Sequence, residues 1–308
     1  MEKFKFNLED ELKHFEGLWD SRPPVDKKKV HSKEKWNKRA ASWMKEFDDP
    51  HSRKRSDNRL KATLAFVNRY KVVDENSSVI DMGCGLGRFA VEFARKAEHV
   101  TGCDLSNEMI KYAKEHGKEE GLDNKLTWID CDFKHTDIDK MGWRGAFDLV
   151  FTSLTPAVDG VESLEKICAM SRDYCFNSTF VNSEDNLDII LYEELTGKEF
   201  PDEFTNHHHW FYSLYNILNL KGYFPRSDYY EELWHSYLDV DDETVDFFKD
   251  RLEMKYRIYD VDKAKIKEIL LNNADENGKV KYEHHTIYGF LLWNVNGKVD
   301  AKFEEILV

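Results

Sequence analysis

The chain has 308 residues and a formal net charge of −14, and 41% of its residues are apolar. This negative charge argues against binding a nucleic-acid backbone through bulk electrostatics. No run approaches the roughly 18 apolar residues of a membrane span, and the N-terminus has no apolar signal core. The composition therefore predicts a cytoplasmic globular protein with a sizeable hydrophobic core.

Two helices are predicted in the N-terminal part of the chain. Trp36, Ala40, Trp43 and Met44 recur at helical spacing within a polar, charged stretch that extends to residue 56. A second helix, over 57–70, carries apolar residues at the same spacing and leads into the first predicted strand.

The segment 79–89 has the sequence Val-Ile-Asp-Met-Gly-Cys-Gly-Leu-Gly-Arg-Phe: an apolar strand, an acid and three glycines at alternate positions. Gly83 and Gly85 lack a Cβ atom, so the backbone can turn sharply and a ligand can approach it closely. A helix that begins near Gly87 offers unpaired N–H groups. The spacing differs from the G-x-G-x-x-G of dinucleotide sites, and no Gly-Lys-Ser/Thr follows, which excludes the phosphate loop of nucleotide hydrolases.

Three further strand-like segments follow the glycine-rich loop. The segment 99–104 ends on Asp104, the segment 126–133 ends in Asp-Cys-Asp-Phe, and the segment 146–153 reads as a buried strand. Open α/β sheets bind ligands at the carboxyl ends of their strands, where a carboxylate can accept both hydroxyls of a ribose. Asp104 is therefore predicted to bind a ribose.

The four motifs D-x-G-x-G-x-G, C-D-L-S, C-D-F and F-D-L-V-F, in this order, resemble the class I S-adenosylmethionine-dependent methyltransferases over residues 60–181. The resemblance implies an enzyme that binds S-adenosylmethionine and releases S-adenosylhomocysteine. By this resemblance, Asp81 and the backbone of Gly83 and Gly85 would face the methionine part of the cofactor. Asp104 would bind the ribose and Leu105 would pack on the adenine. Asp132 and Phe133 would lie at the adenine, and Thr152 and Ser153 would lie near the sulfonium. The implied cofactor-binding residues are Asp81, Gly83, Cys84, Gly85, Gly87, Asp104, Leu105, Asp132, Phe133, Thr152 and Ser153.

The same resemblance implies a seven-stranded, mostly parallel Rossmann-like α/β sheet with an antiparallel last strand. The later elements are predicted as helices 161–171, 207–221, 241–255 and 261–272, and as strands 174–181, 223–233 and 282–295. We expect residues 1–56 to form a cap or lid and residues 57–308 to form the methyltransferase domain, with helical insertions at about 184–205 and 239–278. A helix that simply packs on the core is the alternative for the N-terminal segment.

Histidines are expected to gather at the carboxyl edge of the sheet. A helix that follows a parallel strand begins there, and the antiparallel last strand would begin there too. The candidate general bases, which would remove a proton from an amine, hydroxyl or thiol acceptor, are His207, His208, His235 and His284. A metal site built from these histidines and a purely surface role stay open as alternatives, although no fixed ligand spacing supports a metal.

The sequence names no catalytic residue with certainty, because transfer from a sulfonium needs mainly proximity and alignment of the acceptor. Aromatic residues outside the four motifs would suit a small, partly apolar or cationic acceptor. The predicted substrate-binding residues are Trp36, Trp43, Trp210 and Tyr230.

We therefore expect methyl transfer to N, O or S of a small molecule, with no nucleic-acid or membrane partner. A protein or RNA methyltransferase, an aminocarboxypropyl transferase and a non-catalytic cofactor-binding protein are the alternatives. The five cysteines include no C-x-x-C pair and are expected to be reduced, as is usual in the cytosol.

Overall fold

The computed structural model describes residues 7–20, 32–48, 50–205 and 208–297. Its helices are α1 (Leu8–Asp20), α2 (Lys33–Asp48), α3 (Pro50–Arg69), α4 (Arg88–Ala94), α5 (Asn107–Glu119), α6 (Val161–Met170), α7 (Asn186–Thr196), α8 (His208–Leu220), α9 (Asp242–Tyr256) and α10 (Lys263–Asn272). Its strands are β1 (Ser78–Met82), β2 (His99–Asp104), β3 (Leu126–Asp130), β4 (Phe147–Ser153), β5 (Ser171–Asp185), β6 (Arg226–Asp239) and β7 (Lys279–Asn294). Among these residues, no helix is both long enough and apolar enough to cross a lipid bilayer.

The seven strands form one sheet in the order β3-β2-β1-β4-β5-β7-β6. The pairings of β1 with β2 and β4, of β2 with β3, and of β4 with β5 are parallel, and antiparallel strands complete the sheet. The predicted mostly parallel Rossmann-like fold is thus confirmed. In this order the chain reverses direction across the sheet between β1 and β4, and a ligand crevice opens at such a switch point.

A stack of aromatic rings lies at the centre of the hydrophobic core formed by α3, β4, β5 and β7. Phe151 of β4 and Phe176 of β5 lie parallel, with ring centroids 4.7 Å apart and an interplanar angle of 4°. Phe66 of α3 and Phe290 of β7 contact Phe176 at 6.2 and 6.0 Å. Such pairs contribute about 0.5–1.5 kcal/mol each beyond burial of their area, so α3 is fixed against the strands that carry the ligand crevice.

Several elements differ from the sequence-based prediction, α1 and β6 most clearly. Helix α1 was not predicted, although Leu12, Phe15 and Trp19 have helical spacing and the last two are buried. Strand β6 continues to Asp239 rather than ending near residue 233, because alternate residues remain partly buried along its whole length. His235 consequently lies within β6 and not after it.

The chain divides into two compact units. The first contains residues 1–179, 212–228 and 289–308, and the second contains residues 180–211 and 229–288. The core of the second unit consists of apolar residues of α7, α9, α10 and β7, with Leu191, Phe248 and Ile269 completely buried. This unit includes both predicted helical insertions, whereas the boundary at residue 56 stays a prediction.

A buried charge network joins the elements of the second unit. Arg251 of α9 donates to Asp185 and, at 2.9 Å, to Asp188, both of which are buried. The hydroxyl of Tyr256 donates to Asp188 at 2.5 Å, and the ring of His284 bonds Asp185. Burial alone would raise the pKa of Asp185, but the bond from His284 and the charge of Arg251 hold it well below its usual range.

Replacement of Arg251 by methionine should destabilise the protein strongly. The substitution removes the guanidinium from two buried carboxylates, and breaking a buried ion pair typically costs about 3–5 kcal/mol. Urea unfolding followed by circular dichroism measures the loss. The matched control is Arg144→Met, which removes a solvent-exposed pair with Asp139 and should cost less than about 1 kcal/mol. Equal losses for the two variants would show that the buried network does not stabilise the unit.

Candidate cofactor site

A cavity of about 370 Å³ lies at the carboxyl ends of β1, β2, β3 and β4. Its volume falls within the range of small-molecule sites. The sequence-predicted residues that line it are Gly83, Gly85, Asp104, Leu105, Asp132, Phe133, Trp36 and Trp43. The lining residues that sequence reasoning missed are Met82, Cys103, Met109, Cys131, Lys134, His135, Leu154, Thr155, Pro156, Ala157 and Asp159.

The Asp104 carboxylate ties the glycine-rich loop to the end of β2. One of its oxygens accepts the Gly85 N–H at 2.9 Å, and the other accepts the Ser106 N–H at 2.8 Å. Ser106 in turn caps α5, because its hydroxyl accepts the Met109 N–H at 3.1 Å. Burial raises the pKa of Asp104, while the two N–H groups act in the opposite direction.

Two glycines of the loop serve different purposes. A Cβ atom on Gly83 would lie 2.1 Å from the Thr155 hydroxyl, and the φ of Gly83 is +76°, so only glycine fits. A Cβ atom on Gly87 would lie 2.5 Å from the indole of Trp128. Gly87 is not among the residues that line the cavity, and its small size instead makes room for Trp128 beneath the loop.

Asp81 is buried beneath the loop and does not line the cavity. One of its carboxylate oxygens has no hydrogen-bond partner. Burial raises the pKa of Asp81 to about 8, the charge of Asp104 adds to the rise, and a bond from the Ala90 N–H opposes it. The two acids at the base of this loop, Asp81 and Asp104, would favour a positively charged group nearby.

Helix α2 lies against the loop and the neighbouring strand ends. The ring of Trp43 is 3.5 Å from the position of a Cβ atom on Gly85, and Trp36 meets Trp43 edge to face at 6.2 Å. Asn37 accepts the Ser106 hydroxyl at 2.7 Å, and Lys33 donates to Asp130 at 2.5 Å. The predicted N-terminal helix therefore forms one wall of the cavity.

Asp132 and Phe133 line the cavity directly after β3. The Asp132 carboxylate accepts the Lys134 N–H at 3.1 Å and bonds the His135 ring at 2.8 Å. Phe133 is buried, and the ammonium of Lys166 lies 4.6 Å from its ring centroid. Both residues line the cavity, and their role at the adenine stays a prediction.

Thr152, Ser153 and Cys84 do not line the cavity, in contrast to the prediction. The Thr152 hydroxyl donates to the Phe176 carbonyl at 2.7 Å, and Ser153 bonds Ser178 at 2.8 Å. Both hydroxyls thus connect β4 to β5. The Cys84 side chain is buried beneath the loop.

The expectation of reduced cysteines is wrong for one pair. Cys103 and Cys131 form a disulfide across the ends of β2 and β3, whereas Cys84, Cys168 and Cys175 are free thiols. Both bonded cysteines line the cavity.

The histidine candidates are not gathered around this cavity. His207 lies outside the described residues; His208, at the start of α8, and His235, within β6, are exposed. His284 lies within β7 and not at its start, with one ring nitrogen bonded to Asp185 and the other to Thr286. Among the described residues, no three histidine, cysteine or acidic side chains are placed to hold a metal ion.

The other two predicted substrate residues, Trp210 and Tyr230, are also absent from the cavity lining. Both belong to the second unit, where Trp210 is half-buried in α8 and Tyr230 stacks on Tyr288 at 6.0 Å.

A family model described as "Methyltransferase domain" matches residues 73–239, more than half of the chain. The chain belongs to this family. Its fold and motif order are those of the class I S-adenosylmethionine-dependent methyltransferases, and S-adenosylmethionine is its cofactor.

Curated relatives match shorter segments. The chain is 36% identical over 94 residues to the 23S rRNA (uracil(1939)-C(5))-methyltransferase RlmD of Shewanella sediminis, covering 30% of this chain and 20% of that protein. It is 28% identical over 99 residues to the sterol 24-C-methyltransferase of Debaryomyces hansenii, covering 32% and 26%. It is 35% identical over 83 residues to the ubiquinone biosynthesis O-methyltransferase of Xylella fastidiosa, covering 27% and 33%. The matched segments thus span a third or less of these relatives.

Among solved structures, the magnesium protoporphyrin IX methyltransferase of Synechocystis PCC 6803 is 14% identical, with a TM-score of 0.47. The match covers 71% of this chain and 93% of that chain. Likeness at this level supports no statement about function.

The residues of the cavity fit the cofactor of the family. Asp104, which lines the cavity, and Asp81, which is buried beneath the loop, are two acids whose charges would favour a cationic ligand. Gly83 and Gly85 keep the backbone approachable, and Phe133 supplies a flat apolar wall for a purine.

The raised pKa of Asp81 predicts a distinctive pH dependence of stability. A carboxyl whose pKa is higher in the folded than in the unfolded chain stabilises the fold at low pH, and this contribution is lost as pH rises toward the folded value. From about pH 5 to about pH 8, the free energy of unfolding of the cofactor-free wild type should fall, relative to Asp81→Asn, by about 1 kcal/mol per pH unit. Urea titrations across this range test it. Parallel curves for the two proteins would contradict the raised pKa.

Asp104→Ala should weaken binding of S-adenosylhomocysteine at least about tenfold. The change removes the proposed ribose acceptor and leaves the Gly85 N–H without its partner, and a bond to a charged group is worth about 1.5–3 kcal/mol. Isothermal titration calorimetry measures the affinity. Asp139→Ala, which removes an exposed acid paired with Arg144, is the control and should bind like the wild type. Unchanged affinity in Asp104→Ala would refute the ribose assignment.

Proposed function

We propose that this protein transfers a methyl group from S-adenosylmethionine to an N, O or S atom of a small-molecule acceptor. The observation that carries this proposal is the cavity of about 370 Å³, in which the glycine-rich loop and Asp104 face the aromatic wall of α2. A site enclosed by Trp36 and Trp43 suits a compact, partly apolar or cationic acceptor better than a folded macromolecule. The net charge of −14 supports the same choice over RNA.

When bound, S-adenosylmethionine would supply a methyl group carried on a positively charged sulfonium. The acceptor would take this methyl group by in-line displacement, with S-adenosylhomocysteine as the leaving group. The chain's own task is to hold the loop rigid, to balance the positive charge with Asp81 and Asp104, and to exclude water with Trp36, Trp43 and Phe133. Alignment of this kind can supply much of the rate of a bimolecular reaction.

The titratable side chains that line the cavity are already engaged in the fold. Asp104 accepts two backbone N–H groups, Asp132 bonds His135, and Lys134 pairs with Asp159 at 2.5 Å. This arrangement supports an acceptor atom that is electron-rich without help from a protein base, such as a neutral amine nitrogen, a thiolate or an acidic hydroxyl. Among the histidine candidates, His284 has both ring nitrogens bonded, which disfavours it as the base.

Other parts of the functional assignment stay proposals. Trp36 and Trp43 are the substrate-binding residues that the cavity supports, and Arg39 lies 5.5 Å from both rings, so a cation already packs beside them. Movement of residues 1–56 as a lid and a cytoplasmic location are predictions from the sequence alone. Aminocarboxypropyl transfer from the same cofactor is the alternative reaction.

A labelled-cofactor screen tests the proposal. Purified protein is incubated with S-adenosylmethionine carrying a radiolabelled methyl group and with separated pools of metabolites, RNA and protein. We expect label in the metabolite pool. Label confined to RNA or protein would overturn the small-molecule assignment, and transfer of a label from the aminocarboxypropyl chain instead would indicate the alternative reaction.

Asp104→Ala is the matched control for this screen, and Trp36→Ala tests the acceptor wall. The first variant should lose transfer at sub-saturating cofactor. The second should raise the KM for the acceptor more than it lowers kcat, because it removes binding surface and not the reacting group. If Trp36→Ala changes neither constant, the acceptor does not bind at this wall.

A further inference from the structure

The one disulfide among the described residues lies inside the cofactor cavity. Cys103 directly precedes Asp104 and Cys131 directly precedes Asp132, so the bond joins the two chain positions that present the acids. Both cysteines line the cavity, and their Cα atoms are 6.3 Å apart.

The surrounding backbone makes Cys103 the fixed end of this bond. Its carbonyl accepts the Gly83 N–H at 2.7 Å and the Cys84 N–H at 3.0 Å, which anchors the glycine-rich loop, and its side chain is completely buried. Cys131 is half-buried, and it also borders a second, open depression next to Lys33 and Asp130. A change at the disulfide must therefore be taken up mainly by Cys131.

We propose that Cys103 and Cys131 form a redox modification site, in which the disulfide keeps the cavity in its cofactor-binding shape and reduction weakens cofactor binding. Two thiol sulfurs must lie farther apart than two bonded sulfurs. Since Cys103 is held in the core, the Cys131 thiol moves toward the space that it lines, and Asp132 and Phe133 follow along the chain. This is the side of the cavity at which the adenine is expected, and the inference rests on the cofactor and not on the choice of acceptor.

The chemistry is thiol–disulfide exchange with a dithiol reductant. A thiolate of the reductant attacks the sulfur of Cys131, the S–S bond breaks, and its electron pair leaves on the sulfur of Cys103, which takes up a proton. The second thiol of the reductant then displaces Cys131, and the products are two protein thiols and one oxidised reductant. A disulfide or peroxide oxidant reverses the change.

The nearby thiol of Cys84 does not resolve this bond by itself. Burial raises its pKa well above the usual value, and the negative charges of Asp81 and Asp104 add to the rise. Because its pKa is raised, the Cys84 thiol is a poor nucleophile in thiol–disulfide exchange. Reduction of the Cys103–Cys131 bond therefore requires an external reductant. Linkage requires that a loss of cofactor affinity on reduction is matched by an equal gain in the stability of the disulfide when the cofactor is bound.

The first measurement counts thiols in the full-length protein without reductant. Alkylation under denaturing conditions, followed by mass spectrometry, should label Cys84, Cys168 and Cys175 before reduction and all five cysteines after it. Labelling of all five cysteines in protein treated with a mild oxidant would overturn the proposal.

The second measurement compares S-adenosylhomocysteine affinity of oxidised and dithiol-treated protein by calorimetry. Reduction should weaken binding about tenfold, while the near-ultraviolet circular dichroism stays that of a folded protein. The double variant Cys103→Ser, Cys131→Ser should bind equally with and without dithiol, and Cys168→Ser, which lies outside the cavity, should keep the wild-type response. Equal wild-type affinity in both states, or global unfolding on reduction, would overturn the proposal even if the double variant fails to fold.

The third measurement is the ratio of dithiol to oxidised reductant at which half of the protein is reduced, with and without saturating S-adenosylhomocysteine. Bound ligand should raise this ratio about tenfold, to match the expected loss of affinity on reduction. An unchanged ratio would overturn the proposal. No acceptor enters any of these assays, so a wrong assignment of the methyl acceptor leaves their outcome untouched.

Discussion

The bond between the Asp104 carboxylate and the Gly85 N–H is the constraint on which the cofactor site depends. It fixes the glycine-rich loop of β1 to the end of β2 at 2.9 Å, and the second oxygen of the same carboxylate starts α5 through Ser106. Ser106 also donates to Asn37 of α2 at 2.7 Å. Asp104 thus connects the loop after β1, the end of β2 and the N-terminus of α5, and through Ser106 it also connects to α2. Asp104 lines the cavity as well. The fold therefore fixes the conformation of the glycine-rich loop before any ligand binds.

The same constraint has an electrostatic consequence. Placing the half-buried Asp104 next to the buried Asp81 is unfavourable for both charges, and the raised pKa values of the two acids have desolvation as their largest cause. Protein interiors keep such pairs where a cation or a proton compensates them. Below about pH 8 a proton can neutralise Asp81 in the cofactor-free protein, whereas a cationic ligand would favour the ionised form. The two acids therefore destabilise the loop when both are ionised, and a positively charged ligand would relieve this cost.

Much of the first unit could be predicted from sequence because its signals are local. An apolar run followed by an acid or glycine predicted β1 to β3, an apolar run alone predicted β4, and six of the eleven proposed cofactor residues line the cavity. Thr152 and Ser153 lie outside the cavity lining because residues at a strand end can face either side of the sheet, and their hydroxyls bond β5; their predicted role stays untested. His235 lies within β6 because that strand extends further than predicted. The disulfide could not be predicted from spacing, since 28 residues separate its cysteines and only the pairing of β2 with β3 brings them together.

The similarity to known proteins identifies the cofactor of this chain but not its methyl acceptor. Relatives named for methylation of a uracil carbon, a sterol carbon and a ubiquinone-pathway oxygen all match this chain over only 83–99 residues. A segment shared by proteins with different acceptors can encode what they have in common, the cofactor site, but not what separates them. Acceptor choice must then depend on residues whose arrangement is particular to this chain. Trp36 and Trp43 of α2 meet that condition: they precede the family match, which begins at residue 73, and they still line the cavity. The wall contributed by α2 is accordingly where we propose that this chain distinguishes its acceptor while keeping the common cofactor loop unchanged.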